Sequence, residues 1–172
     1  MLEYDGISEL WKAAPKRLAD ARELLQAPTR EMKRSDQSIR HLRGAVYLSG
    51  YAVECILKVY IIEQTDASCR GSGKRVQTWS DVLSIRQERG QTPDLSGRRS
   101  HNLLLLYQAT DLSQYVSQGS SIYATWNTCF KSWRVSLRYN PNHMDDPEMA
   151  LQIVDALEAA YNWVRNRTRH QG

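Results

Sequence analysis

The chain has 172 residues and a formal net charge of +4, a length that suits one domain with a sizeable core and a surplus too small to define a nucleic-acid binder by itself. Its cysteines, Cys55, Cys69 and Cys129, are odd in number and lack CxxC spacing, which argues against a disulfide framework or a zinc site. The opening MLEYDGISEL is mixed and acidic, unlike a signal peptide, and the longest apolar stretch is broken by Glu54 and Lys58, so no membrane span is expected and the cytoplasm is the expected compartment.

Helix formers dominate and strand-like alternation is scarce. A first helix is predicted over residues 8–26, with Leu10, Leu18, Ala21, Leu24 and Leu25 facing inward and Pro15 bending or restarting it. Residues 27–37 are polar and basic and read as a connection. A long second helix follows, starting as early as Ser38 and ending near Gln64. Its stripe is Leu42, Ala45, Val46, Ser49, Ala52, Val53, Ile56, Leu57 and Tyr60. Gly44 and Gly50 lie within this helix, each at a cost of about 1 kcal/mol against alanine; close approach of a neighbouring backbone, or tight packing alone, would account for them.

Glu54 admits two readings. It stands one turn before Lys58 and can form an ordinary surface pair worth about 0.2–0.5 kcal/mol. Alternatively it faces inward and needs a cation from another helix, for which Arg138 is the candidate.

Residues 65–78 form a loop by composition. The GSGK within it lacks the full phosphate-loop pattern and no strand precedes it. A short helix is expected over 80–87 and a loop over 91–99. Ser100 is the expected cap of a helix over 101–110. A helix from Ser120 or Ser121 to Leu137 carries Ile122, Trp126, Cys129, Phe130, Trp133 and Leu137 on one side. The last helix starts at Asp145 or Asp146 with Pro147 in its first turn, buries Met149, Ile153, Leu157, Tyr161 and Val164, and ends near Arg167. The expected fold is all-α: an antiparallel helical bundle of four main helices plus one or two short ones, a single domain over 1–172. Its N-terminal helix and connection fill 1–35, and a basic tail fills 165–172. Basic residues gather at Arg30, Lys33, Arg34, Arg40 and Arg43, at Arg70, Lys74 and Arg75, and at Arg165, Arg167, Arg169 and His170.

The segments GYAVECILKVYI, SHNLLLLY and WRVSLRYNP occur in that order on three predicted helices. Together they resemble the HEPN family of small all-helical domains, from about Arg43 to the final helix. The resemblance implies a helical bundle paired into a homodimer. Many members are metal-independent ribonucleases of toxin–antitoxin and phage-defence systems, marked by an Arg and a His a few residues apart. Arg138 and His143 match that spacing, whereas Tyr139 stands where the nuclease branch carries a smaller polar residue, and Pro141 breaks the spacer.

The chemistry fits those residue types. Cleaving RNA without metal needs a base for the 2′-hydroxyl proton and an acid for the leaving oxygen, roles that histidine fills near neutral pH. A guanidinium offers a bidentate fork to the developing negative charge. The expected catalytic set is therefore Arg138, His143 and Glu54. Tyr139, His101, Lys58, Arg165 and Arg167 are the expected nucleic-acid contacts. His101 reads either as a helix-terminus residue bonded to a neighbouring loop or as a member of the same cleft. No metal or cofactor is implied. The alternative function is a non-catalytic nucleic-acid- or nucleotide-binding homodimer working beside a nucleotidyltransferase.

Overall fold

A computed structural model describes residues 6–26, 36–133 and 146–169. Among the described residues there are six α-helices and no strand: α1 (Ile7–Gln26), α2 (Asp36–Cys69), α3 (Trp79–Glu88), α4 (Leu103–Gln108), α5 (Ser121–Ser132) and α6 (Pro147–Arg165). One-turn 3-10 segments follow α2 and flank α4. The only sheet-like pairing in these segments is a single bridge between Gly6 and Thr78.

Helix α2 organises the fold. At 34 residues it is about 50 Å long, and every residue from Ala52 to Ile62 is buried. A helix apolar on all sides belongs at the centre of a fold, and α2 packs against α1, α3, α4 and α6. By length and composition the stretch His41–Ser72, which runs from α2 into the 3-10 turn after it, could cross a membrane, yet 83% of its most apolar window is buried in the fold. Packing accounts for that apolarity.

Contacts fix the helix directions. Leu24 lies against Gly44, while Arg17 interacts electrostatically with Tyr51 and Cys55, so α1 runs opposite to α2. Arg22 pairs with Asp155 and Glu158, and the Arg165 guanidinium lies over Trp11, so α1 also runs opposite to α6. Trp126 meets Trp163 edge-on, joining α5 to α6.

Several boundaries differ from the sequence expectation. Pro15 does not restart α1: the helix continues through it, because its ring sits on the exposed side while Leu10, Ala14, Leu18 and Ala21 bury the opposite face. Helix α2 runs past Gln64 to Cys69, held by the Thr65 hydroxyl on the Ile61 carbonyl and by further burial at Cys69. Ser100 does not cap α4. Its hydroxyl bonds the Gly97 carbonyl inside a 3-10 turn, and Asn102 takes the cap role by accepting from the Leu104 and Leu105 amides. Met149 is exposed, and the buried face of α6 begins at Ala150. The start of α6 matches the reading: Asp146 caps it and Pro147 opens it.

Candidate functional site

Glu54 lies in the stretch of α2 that has no solvent side, so its carboxylate is buried by position; the residue is 2% exposed. A buried charge persists only with partners. Lys58, one turn on, donates from Nζ to Glu54 Oε1 at 2.8 Å. His101 Nδ1 reaches the same oxygen at 2.9 Å. The pair with Lys58 is thus real but is no surface pair: the Lys58 side chain is only 10% exposed. Its ammonium also sits 5.2 Å from the centre of the Trp79 ring, a cation–π contact that shields the charge.

Trp79 and His101 arrive by different routes. Trp79 opens α3, whose start is set by a capping box between Thr78 and Asp81. Burial acts against the Asp81 carboxylate, but hydrogen bonds from the Gln77 amide and from Thr78 outweigh it and hold its pKa below the usual value. His101 ends the 3-10 turn Gly97–His101, directly before the Asn102 cap. That turn is braced by Gly97 at φ 54°, by the Ser96 amide on Asp94, and by an Arg99–Asp94 ion pair. The imidazole is therefore held from both sides of its residue, while its side chain remains 46% exposed.

A carboxylate offers only lone pairs, so Nδ1 carries the proton that Glu54 accepts, and in the neutral ring Nε2 holds the lone pair. Glu54, Lys58 and His101 thus form an anchored imidazole with one nitrogen available for proton transfer at the surface. Among the described residues no group of three or more His, Cys, Asp or Glu is placed to hold a metal ion.

Next to Glu54, burial first and the carboxylate's charge second push the Cys55 thiol up to about 12, and burial does the same for Cys129. The upward shift disfavours the thiolate, the reactive form. In native protein at pH 8, both thiols are expected to resist a small disulfide reagent until the chain unfolds, whereas denatured protein titrates all three cysteines. Absorbance of the released thiol checks this; native Cys55 reacting as fast as a free thiol contradicts it.

Arg138, Tyr139 and His143 lie outside the described residues. The last described residue before them, Trp133, is fixed. A Cβ on Gly50 would fall 1.9 Å from its ring, its indole donates to the Tyr47 carbonyl at 3.3 Å, and the Tyr47 ring stacks against it. The glycine thus makes room for an indole rather than for a neighbouring backbone. Ser49, also buried, donates to the Ala45 carbonyl within α2.

Arg165 and Arg167 belong to a separate neighbourhood. Arg165 covers Trp11. The Arg167 guanidinium stacks 3.9 Å from the Trp163 ring centre and lines a cleft of about 520 Å³ with Tyr60, Asp111 and Tyr115. The structure therefore joins Glu54, Lys58 and His101 into one site and leaves these two arginines in another contact network. Of the second basic group, Lys74 pairs with Glu88. Sequence reading missed Trp79, although the Thr-x-x-Asp signature at Thr78 places it in the first turn of α3. It also missed the Trp133–Gly50 contact, which no local pattern encodes.

Comparison with protein-family models, with curated proteins and with solved structures returns no match. What fold and site define together is a class: an all-α protein with a buried carboxylate that holds a lysine and a half-exposed histidine.

Proposed function

We propose that this protein is a HEPN-like, RNA-directed homodimer that cleaves RNA without metal, of the kind that serves toxin–antitoxin and phage-defence systems. The observation that carries the reading is the contact between buried Glu54 and half-exposed His101 at 2.9 Å. It supplies an oriented imidazole, the group that metal-free phosphodiester cleavage needs.

Chain length allows Arg138 to come to the same place. Trp133 is anchored at Gly50, one turn from Glu54, a rise of about 6 Å. Five further residues span at most about 17 Å, a length that allows Arg138 to approach the Glu54 carboxylate. In the proposed reaction one histidine takes the 2′-hydroxyl proton. The O2′ atom attacks phosphorus, the P–O5′ bond breaks, and the second histidine protonates O5′. The products carry 2′,3′-cyclic phosphate and 5′-hydroxyl ends. Arg138 neutralises the charge gathering on the phosphoryl oxygens.

A second reading, a non-catalytic nucleic-acid- or nucleotide-binding homodimer working beside a nucleotidyltransferase, draws support from Arg165 and Arg167. Their guanidiniums lie on aromatic rings apart from the Glu54 site, an arrangement suited to stacking and phosphate contact.

Incubating purified protein with mixed RNA at neutral pH in the presence of a chelator separates the two. Cleavage to cyclic-phosphate ends is expected, with His101→Ala and His143→Ala each slowing it about 10²-fold or more. Intact RNA that is nevertheless retained at low salt favours the binding module. Cleavage unaffected by either substitution removes the proposed site.

A further inference from the structure

Arg86 is a cation that the described fold leaves without a counter-charge. It projects from the second half of α3, whose buried residues Trp79, Val82 and Ile85 face the core. One terminal nitrogen donates to the Pro93 carbonyl at 3.1 Å. Its Nε is shut off from solvent and has no hydrogen-bond partner. No described carboxylate pairs with it, and burial alone pulls its pKa down, with no neighbouring charge opposing the shift. A half-buried guanidinium in this condition is costly until an anion meets it.

The space for one is present. Arg86 lines a cleft of about 340 Å³ between α3 and the loop that follows it, together with Gln87, Gln91, Asp94 and Ser96. Asp94 is the one acid in this lining, and it is already engaged. The Ser96 amide and hydroxyl, then Arg99, hold its pKa below the usual carboxylate value, and it accepts from the Ser96 amide at 2.9 Å and from Arg99 at 2.8 Å. The guanidinium's unspent terminal N–H donors and the two side-chain amides make a donor set for an oxyanion. The volume falls in the range of small-molecule sites and exceeds what a bare ion fills.

We infer that this cleft binds the phosphate group of a small phosphorylated molecule, with Arg86 as the anchoring cation. The site is separate from Glu54 and His101 and does not depend on RNA cleavage. The bound phosphate joins α3 to the loop that leads into the His101 turn, and it stabilises the fold in proportion to ligand concentration.

Thermal unfolding of the full chain tests this with inorganic phosphate, ribose 5-phosphate and adenosine monophosphate, each against chloride at matched ionic strength. A saturable rise in Tm is expected, abolished in Arg86→Met and weakened in Arg86→Lys, which keeps the charge but not the fork. A monoester that binds tighter than inorganic phosphate supports a phosphorylated small molecule; inorganic phosphate alone raising Tm points instead to the free ion and overturns that part. An equal rise in wild type and Arg86→Met, or no rise at all, overturns the site. Should Arg86→Met fail to fold, the Arg86 Nε–H resonance of the wild-type protein decides: it shifts on adding phosphate if the inference holds and stays fixed if it does not.

Discussion

Glu54→Ala is expected to cost about 3–5 kcal/mol of folding stability, the usual result of stripping one partner from a buried ion pair. The figure follows from position. Lys58 lies in the same buried stretch of α2, so its ammonium cannot regain full hydration when its partner at 2.8 Å disappears. Removing both charges together relieves the problem, and Glu54→Leu with Lys58→Met should recover most of the loss. Urea unfolding of the two single variants and the double variant gives the coupling directly. A Glu54→Ala variant within about 1 kcal/mol of wild type, or a double variant no better than the single, would show that the carboxylate is not buried as described. The same substitution frees His101 from its orienting contact, so any RNA cleavage should fall even at temperatures where the variant is folded.

Gly50→Ala carries the second large effect. Alanine favours a helix interior by about 1 kcal/mol over glycine, and at an open position it would stabilise. Here its methyl group would stand 1.9 Å from Cδ1 and Nε1 of Trp133 and 2.3 Å from Cε2. Trp133 has little room to retreat, being 4% exposed and held by Tyr47. Expelling the indole loses burial of the order of a large core truncation, so a net destabilisation of about 2–4 kcal/mol is expected. Gly44→Ala is the control. Its new methyl group meets only Leu24 Cδ1 at 3.1 Å, the end of a half-buried, flexible side chain. Helix propensity then wins, and a gain of up to about 1 kcal/mol is expected. Denaturant midpoints at unchanged m-value decide both cases. A Gly50→Ala protein as stable as wild type would mean that Trp133 does not sit on α2.

These two sites show how far the sequence could be read. Period and caps are local properties, so the all-α class, the six helical stretches and the Asp146–Pro147 start of α6 were legible. Where two local signals competed, the tertiary outcome chose between them. Both Ser100 and Asn102 are good caps, and only the Ser100 hydroxyl's bond to Gly97 shows which is free for the role. Pro15 is a breaker by local rules, yet the buried face opposite it carries α1 through.

The site was legible in part. Glu54 stands out because an acid in an apolar stripe demands a partner, and His101 stands out at the start of a predicted helix. Which cation Glu54 would take was not readable, since Lys58 one turn away looked like a surface neighbour. Its burial follows from α2 being covered on every side between Ala52 and Ile62, a fact about α1, α3, α4 and α6 together. The Arg86 cleft gave no sequence signal, because the missing counter-charge is a property of packing.

The central claim is that buried Glu54 fixes the His101 ring with a proton on Nδ1 and a lone pair on Nε2. Nitrogen-15 NMR of the histidine side chains, recorded at a pH where the ring is neutral, reads that arrangement directly. A single Nδ1–H tautomer is expected for His101, with its Nδ1 proton protected from exchange. A ring that averages between tautomers like free imidazole, or that carries its proton on Nε2, would contradict it.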